Sequence, residues 1–85
     1  VPAAKEITHL PIAVDPSHAT FWRPWVKPMA LASIAAGCDS VMLEVHPDPV
    51  NSAVDPLQPI DFQDFEHLMI DMNKIANNVN RCVLD

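Results

Sequence analysis

At 85 residues and 9.4 kDa the chain is at most one small domain, and eleven acidic against five basic residues leave a net charge of -6 with neutral histidines. The basic residues are scattered, which excludes the basic footprint that nucleic acid or an anionic membrane requires. No apolar run approaches the ~20 residues of a membrane span, no signal segment opens the chain, and Cys38 and Cys82 match neither a CxxC pattern nor a disulfide framework, so a reducing cytoplasm is the expected compartment.

The apolar fraction is 49 %, gathered in blocks. A chain this short buries only about 60–65 % of its unfolded surface, so it is marginal alone. "VPAAKEITH" at the start reads as the end of a helix already under way, and the chain as a piece of something larger. "LPIAVD" (10–15) is a short run of branched residues bounded by proline, the pattern of a buried strand. "WVKPMALASIAAG" (25–37) is rich in alanine and leucine and stops at the only glycine, Gly37; this predicts a helix whose first turn must contain Pro28. "SVMLEV" (40–45) is the second strand.

"DFQDFEHLMIDMNKIANNV" (61–79) is the clearest helix. Asp61 suits its N-cap, and Asp64 and Glu66 suit the positive end of its dipole. Phe65, Leu68, Met69, Met72, Ile75 and Val79 recur at three- and four-residue spacing and form one apolar stripe for packing on a sheet. Strand, helix, strand and helix, with strands apolar on both faces, predict a parallel sheet in an α/β protein. Two such strands need neighbours, either the rest of a barrel or copies of the chain.

In parallel sheets the residues that do chemistry gather at the carboxyl ends of the strands. There the first strand is followed by Asp15, Ser17, His18 and Arg23, and the second ends in Glu44 and His46 before a loop to Asp55. Alternation puts Met42 and Glu44 on one face and Leu43 on the other. A carboxylate buried there costs several kcal/mol unless paired or coordinated. His18, Glu44 and Asp55 offer one nitrogen and two carboxylates at one rim, a donor set for Mn, Fe, Co or Zn. Capping, turn formation and ion pairing are the competing readings of the same residues. His9 and His67 read as structural or solvated, and Cys38 lies on the opposite rim.

Three stretches in order, "LPIAVDPSHAT", "ALASIAAG" and "VMLEVHPDP", followed by the carboxylate of Asp55, resemble the end of the 3-deoxy-7-phosphoheptulonate (DAHP) synthases of the short, microbial type. The resemblance runs over roughly residues 1–79. It implies a (β/α)8 TIM barrel of which residues 1–85 are the C-terminal segment of one catalytic domain: strand seven, helix seven, strand eight and helix eight. It further implies that His18, Glu44 and Asp55 are metal ligands, with a family cysteine ligand from an early strand that neither Cys38 nor Cys82 matches. Ser17 and Arg23 are the implied substrate contacts.

The implied reaction is an aldol-like condensation opening the shikimate pathway of aromatic amino acid biosynthesis. Carbon 3 of phosphoenolpyruvate attacks the aldehyde of erythrose 4-phosphate, water adds at carbon 2 and phosphate leaves, with a divalent cation as Lewis acid. The partners implied are these two substrates and further copies of the chain in a homo-oligomer. Two departures stand out: Phe21-Trp22 replaces the family's Gly-Arg before Arg23, and Pro56 replaces a glycine after Asp55, which stiffens that loop. The alternatives are the related 3-deoxy-octulosonate 8-phosphate synthase or another sugar-acid condensing relative, and a non-catalytic quarter-barrel scaffold.

Overall fold

The computed structural model describes residues 1–20, 22–51 and 59–83. In chain order they form α1 (Pro2–Ile7), β1 (Ala13–Val14), α2 (Pro16–Thr20), α3 (Arg23–Ala35), β2 (Ser40–Val41), a 3-10 turn at Pro49–Asn51, and α4 (Phe62–Asn78). β1 and β2 are parallel neighbours, with Ala13 opposite Ser40 and Val14 opposite Val41, and the connection between them passes through α2 and α3. That is a βαβ unit, the crossover a parallel pair requires. A second parallel contact follows: Val45 bridges Ile60, His46 N–H donates to the Ile60 carbonyl at 2.9 Å, and Ile60 N–H donates to the Glu44 carbonyl at 3.0 Å.

The paired strands are shorter than the apolar runs at 10–15 and 40–45. A ladder extends only as far as a neighbour answers its N–H and C=O groups, and a hydrophobicity pattern does not report that neighbour. Alternation is as expected all the same. Val14, Val41, Leu43 and Val45 pack toward the helices, while Met42, on the other face, is 58 % exposed.

α3 begins two residues earlier than expected, with Trp22 extended before it and Pro24 in its first turn. Pro28 therefore lies inside the helix, not in its opening turn. Both prolines are on the exposed side, where water can take the bond that Pro28 cannot donate to the Pro24 carbonyl. The far end is as expected: Gly37 sits at φ +100°, its N–H donates to the Ile34 carbonyl at 3.0 Å, and Cys38 N–H donates to Ser33 at 3.1 Å. This is a Schellman closure, which needs the left-handed conformation glycine provides.

α4 opens on Asp61, whose side chain accepts from Asp64 N–H at 2.7 Å. It closes in the same way as α3, with Asn80 at φ +61° and Arg81 N–H reaching the Ala76 carbonyl at 2.8 Å. Val26, Ala30 and Ile34 of α3 meet Leu68, Met72 and Ala76 of α4, joined by Cys38 and Ile60, to form the core. Each large side chain buried there contributes about 1.5–3 kcal/mol. Lys27 and Asp71, 2.7 Å apart, add an exposed tie between the two helices. Among the described residues no helix is long and apolar enough to cross a membrane.

At the amino-end rim of the sheet a single carboxylate gathers three segments. Asp39 receives the Lys5 ammonium, the Arg81 guanidinium at 3.0 Å and the Ile12 N–H at 2.8 Å. The Lys5 bond first, then the backbone and Arg81 bonds, hold its carboxyl well below the usual carboxylate range.

Candidate functional site

Asp-Pro-Ser-His, directly after β1, folds into the first turn of α2. Asp15 acts as the N-cap: its Oδ1 accepts from His18 N–H at 3.1 Å and its carbonyl accepts from Ala19 N–H at 3.0 Å. Pro16 takes the first helical position, where a missing N–H costs nothing. The three-residue spacing then lays the His18 ring over its own cap, and Nδ1 stands 2.5 Å from Asp15 Oδ2. One carboxylate thus holds both the backbone and the side chain of His18.

The other ring nitrogen, Nε2, stands 2.9 Å from Glu44 Oε1. Glu44 follows β2 in extended chain, on the face opposite Leu43. Its backbone N–H donates to Ser17 Oγ at 3.3 Å, so the two strand ends are also tied through α2. Ser17 is fully buried. Burial pushes the Asp15 carboxyl up, but the backbone N–H and the ring of His18 outweigh it and leave the group below its ordinary value.

An imidazole between two carboxylates is chemically specific. A neutral ring has one N–H and can donate to only one of the two oxygens. A cation taking Nε2 and Oε1 would leave Nδ1–H free to donate to Asp15, the carboxylate–histidine–metal arrangement found behind metal-bound imidazoles. Two ligands each about 2.0–2.2 Å from one ion stand about 2.8–3.1 Å apart when they meet it near a right angle, which spans the 2.9 Å seen here, so the pair fits a borderline divalent cation. Among the described residues no group of three or more His, Cys, Asp or Glu is arranged to hold a metal. Asp55, the third expected ligand, lies outside the described residues.

The remaining expected residues fall as follows. Arg23, the first residue of α3, donates Nε to the Pro59 carbonyl at 2.6 Å and so braces the start of the helix against the chain entering α4. His46 Nδ1 accepts from Asp48 N–H at 2.9 Å, and Asp48 accepts from the Asn51 side chain at 2.6 Å, a local turn beyond Glu44. His9 and His67 are exposed. Cys38 is buried, and that burial pushes its thiol up, away from a reactive thiolate. A cavity of about 410 Å³ at the opposite rim is lined in part by Cys38, Asp39, Arg81 and Cys82, and by none of Asp15, Ser17, His18, Arg23 and Glu44. Donor geometry, not cavity size, singles out the carboxyl-end rim.

The role of Asp15 is the feature sequence reasoning passed over. The signal was present: Asp-Pro at the end of an apolar run is an N-cap followed by a first-turn proline, with the histidine one turn on.

Comparison with known proteins gives a consistent picture. The family model described as the DAHP synthetase I family matches residues 1–81. A phospho-2-dehydro-3-deoxyheptonate aldolase of Thermotoga maritima is 42 % identical over 77 residues, 91 % of this chain and 23 % of that protein. A 2-dehydro-3-deoxyphosphooctonate aldolase of Desulfotalea psychrophila is 34 % identical over 53 residues, 62 % of this chain and 19 % of that protein. The crystal structure of the DAHP synthase from Thermotoga maritima superposes with a TM-score of 0.91 at 38 % identity, covering 98 % of this chain and 26 % of that one. The chain therefore spans about a quarter or less of the length of these relatives.

Proposed function

Because the chain belongs to the DAHP synthetase I family, we propose that residues 1–85 are the C-terminal segment of a single (β/α)8 catalytic domain. β1 and β2 are its seventh and eighth strands, and α3 and α4 the helices that follow them. The whole protein condenses phosphoenolpyruvate with erythrose 4-phosphate to 3-deoxy-7-phosphoheptulonate. His18, Glu44 and Asp55 hold a divalent cation, Mn, Fe, Co or Zn. A homo-oligomer in the cytoplasm belongs to the same proposal.

One observation carries this reading: His18 Nε2 and Glu44 Oε1 stand 2.9 Å apart at the carboxyl ends of two adjacent parallel strands. When bound, the cation supplies Lewis-acid polarisation of the sugar-phosphate aldehyde. His18 and Glu44 fix where that aldehyde is held. Ser17 keeps the Glu44 backbone in place, and Arg23, braced by Pro59, offers positive charge beside the rim. With a net charge of -6, most of the positive charge that holds two anionic substrates must come from outside this segment.

The test uses the full polypeptide that carries residues 1–85, with manganese titration by calorimetry and product formation from four- and five-carbon aldose phosphates. Binding and turnover of the four-carbon sugar, both lost in Glu44→Gln and His18→Ala, are expected. Unchanged turnover in either variant overturns the assignment. Preference for the five-carbon sugar moves the reading to the octulosonate relative, and a folded protein without turnover moves it to the scaffold.

A further inference from the structure

We propose that Asp15 is the positioning residue of His18: it fixes the ring so that Nε2, and not Nδ1, is the nitrogen presented beside Glu44. The proposal rests on the reading of His18 and Glu44 as cation ligands and adds to it the group that orients His18.

The His18 side chain is 51 % exposed, so packing does little to hold its ring. Orientation must come from directed bonds. Asp15 reaches Nδ1 at 2.5 Å, on the side of the ring away from Glu44, and an acceptor there draws the proton to Nδ1. Glu44 Oε1, 2.9 Å from Nε2, is the competing acceptor, but Asp15 is the closer of the two. The single proton of a neutral ring therefore stays on Nδ1, and Nε2 keeps the lone pair that a cation beside Glu44 would take. The other Asp15 oxygen caps the His18 backbone at 3.1 Å, so the carboxylate is itself held by the turn it starts. Pro16 fixes the backbone between cap and helix, and buried Ser17 ties that same turn to the Glu44 N–H. The four residues Asp-Pro-Ser-His therefore form one unit: cap, stiff first position, tie to the second strand, and ligand.

Asp15→Asn separates orientation from folding. Asparagine caps a helix about as well as aspartate, so α2 is retained. Its amide offers the ring an NH2 donor in place of an acceptor, which favours the proton on Nε2, the wrong nitrogen for a ligand.

In the full polypeptide three readouts decide the matter: the manganese dissociation constant by calorimetry, the melting temperature, and the His18 tautomer by long-range 1H–15N NMR of the metal-free protein with the ring neutral. In Asp15→Asn we expect manganese binding to weaken roughly 10- to 100-fold, the span typical of losing a partner behind a metal ligand. The tautomer shifts from Nδ1–H to Nε2–H and the melting temperature stays the same. Asp15→Ala loses the cap as well, so its melting temperature falls. An Asn variant with wild-type manganese affinity and wild-type tautomer overturns the proposal. If the wild type binds no manganese and Glu44→Gln behaves like it, the ligand reading falls. The tautomer then still decides whether Asp15 orients the ring: a shift to Nε2–H supports it, and an unchanged tautomer overturns it.

Discussion

The two rims of the small sheet use the same residue types to opposite ends. At the amino-end rim one carboxylate, Asp39, meets an ammonium, a guanidinium and a backbone N–H drawn from 34, 42 and 27 residues away. At the carboxyl-end rim the proportion is reversed, and one imidazole stands between the carboxylates of Asp15 and Glu44. Exposure does not separate the two sets, since the Asp39, Glu44 and Asp15 side chains are 25 %, 29 % and 31 % exposed. What differs is the balance of donors and acceptors. At the first rim the carboxylate is matched by positive charge and ties Lys5 to Arg81; at the second, among the described residues, two carboxylates share one imidazole, an arrangement a cation would suit.

The sharpest way to break that comparison is to neutralise one carboxylate at each rim. Under the proposed function, Glu44→Gln should lower turnover on the order of 10³-fold, the equivalent of several kcal/mol of Lewis-acid stabilisation, and leave the melting temperature nearly unchanged. Asp39→Asn should do the reverse, lowering the melting temperature with turnover kept. A steady-state assay and a thermal melt on both variants read all four values. Loss of activity in both, or of stability in both, would mean that the two rims are not separate in role.

How much of this contrast is legible in the sequence depends on distance along the chain. The Asp61 cap, the Gly37 closure and the stripe of α4 are local patterns, and the structure has each where the residues imply it, except that Val79 falls just past the helix and is exposed. The alternation of Val41, Met42 and Leu43 is local too. α2 is equally local, with Asp15 as its cap and Pro16 as its first residue. Pro28 was misplaced because Pro24 lets the helix begin sooner. The clamp at Asp39 could not be read, since nothing in "GCDSV" points to Lys5 or Arg81. Ala76 escaped the stripe because a methyl group carries little pattern, although it is almost fully buried.

A subtler break removes the tie between the strand ends without touching a proposed ligand. Ser17→Ala leaves the Glu44 N–H without its 3.3 Å acceptor beside a fully buried position. Stranding a donor there costs about 1–3 kcal/mol. Chemical denaturation should show a loss in that range, with manganese affinity falling less than in Asp15→Asn, because the backbone tie acts on Glu44 only through its main chain. An affinity loss larger than that of Asp15→Asn would put Ser17, and not Asp15, at the centre of the rim's organisation.

The smallest expected effect is in acid, and its sign separates the rims once more. The Asp39 carboxyl is held well below its ordinary value, by Lys5 first. A carboxylate depressed in the folded state contributes stability that is fully present above the unfolded value of about 3.9 and drains away as pH falls toward the folded one. Asp15 is lowered as well, with burial working against its hydrogen bonds to His18, so its share of the same slope is smaller. Melting temperatures of the wild type should therefore decline as pH drops below about 4. Asp39→Asn should start lower at neutral pH and decline less steeply, while Asp15→Asn should track the wild-type slope closely. The amino-end rim would then account for most of the acid sensitivity, as expected of the rim whose charge holds the chain together. Equal flattening in both variants would show that the Asp15 charge contributes as much to stability as that of Asp39, and that the two rims do not differ in this respect.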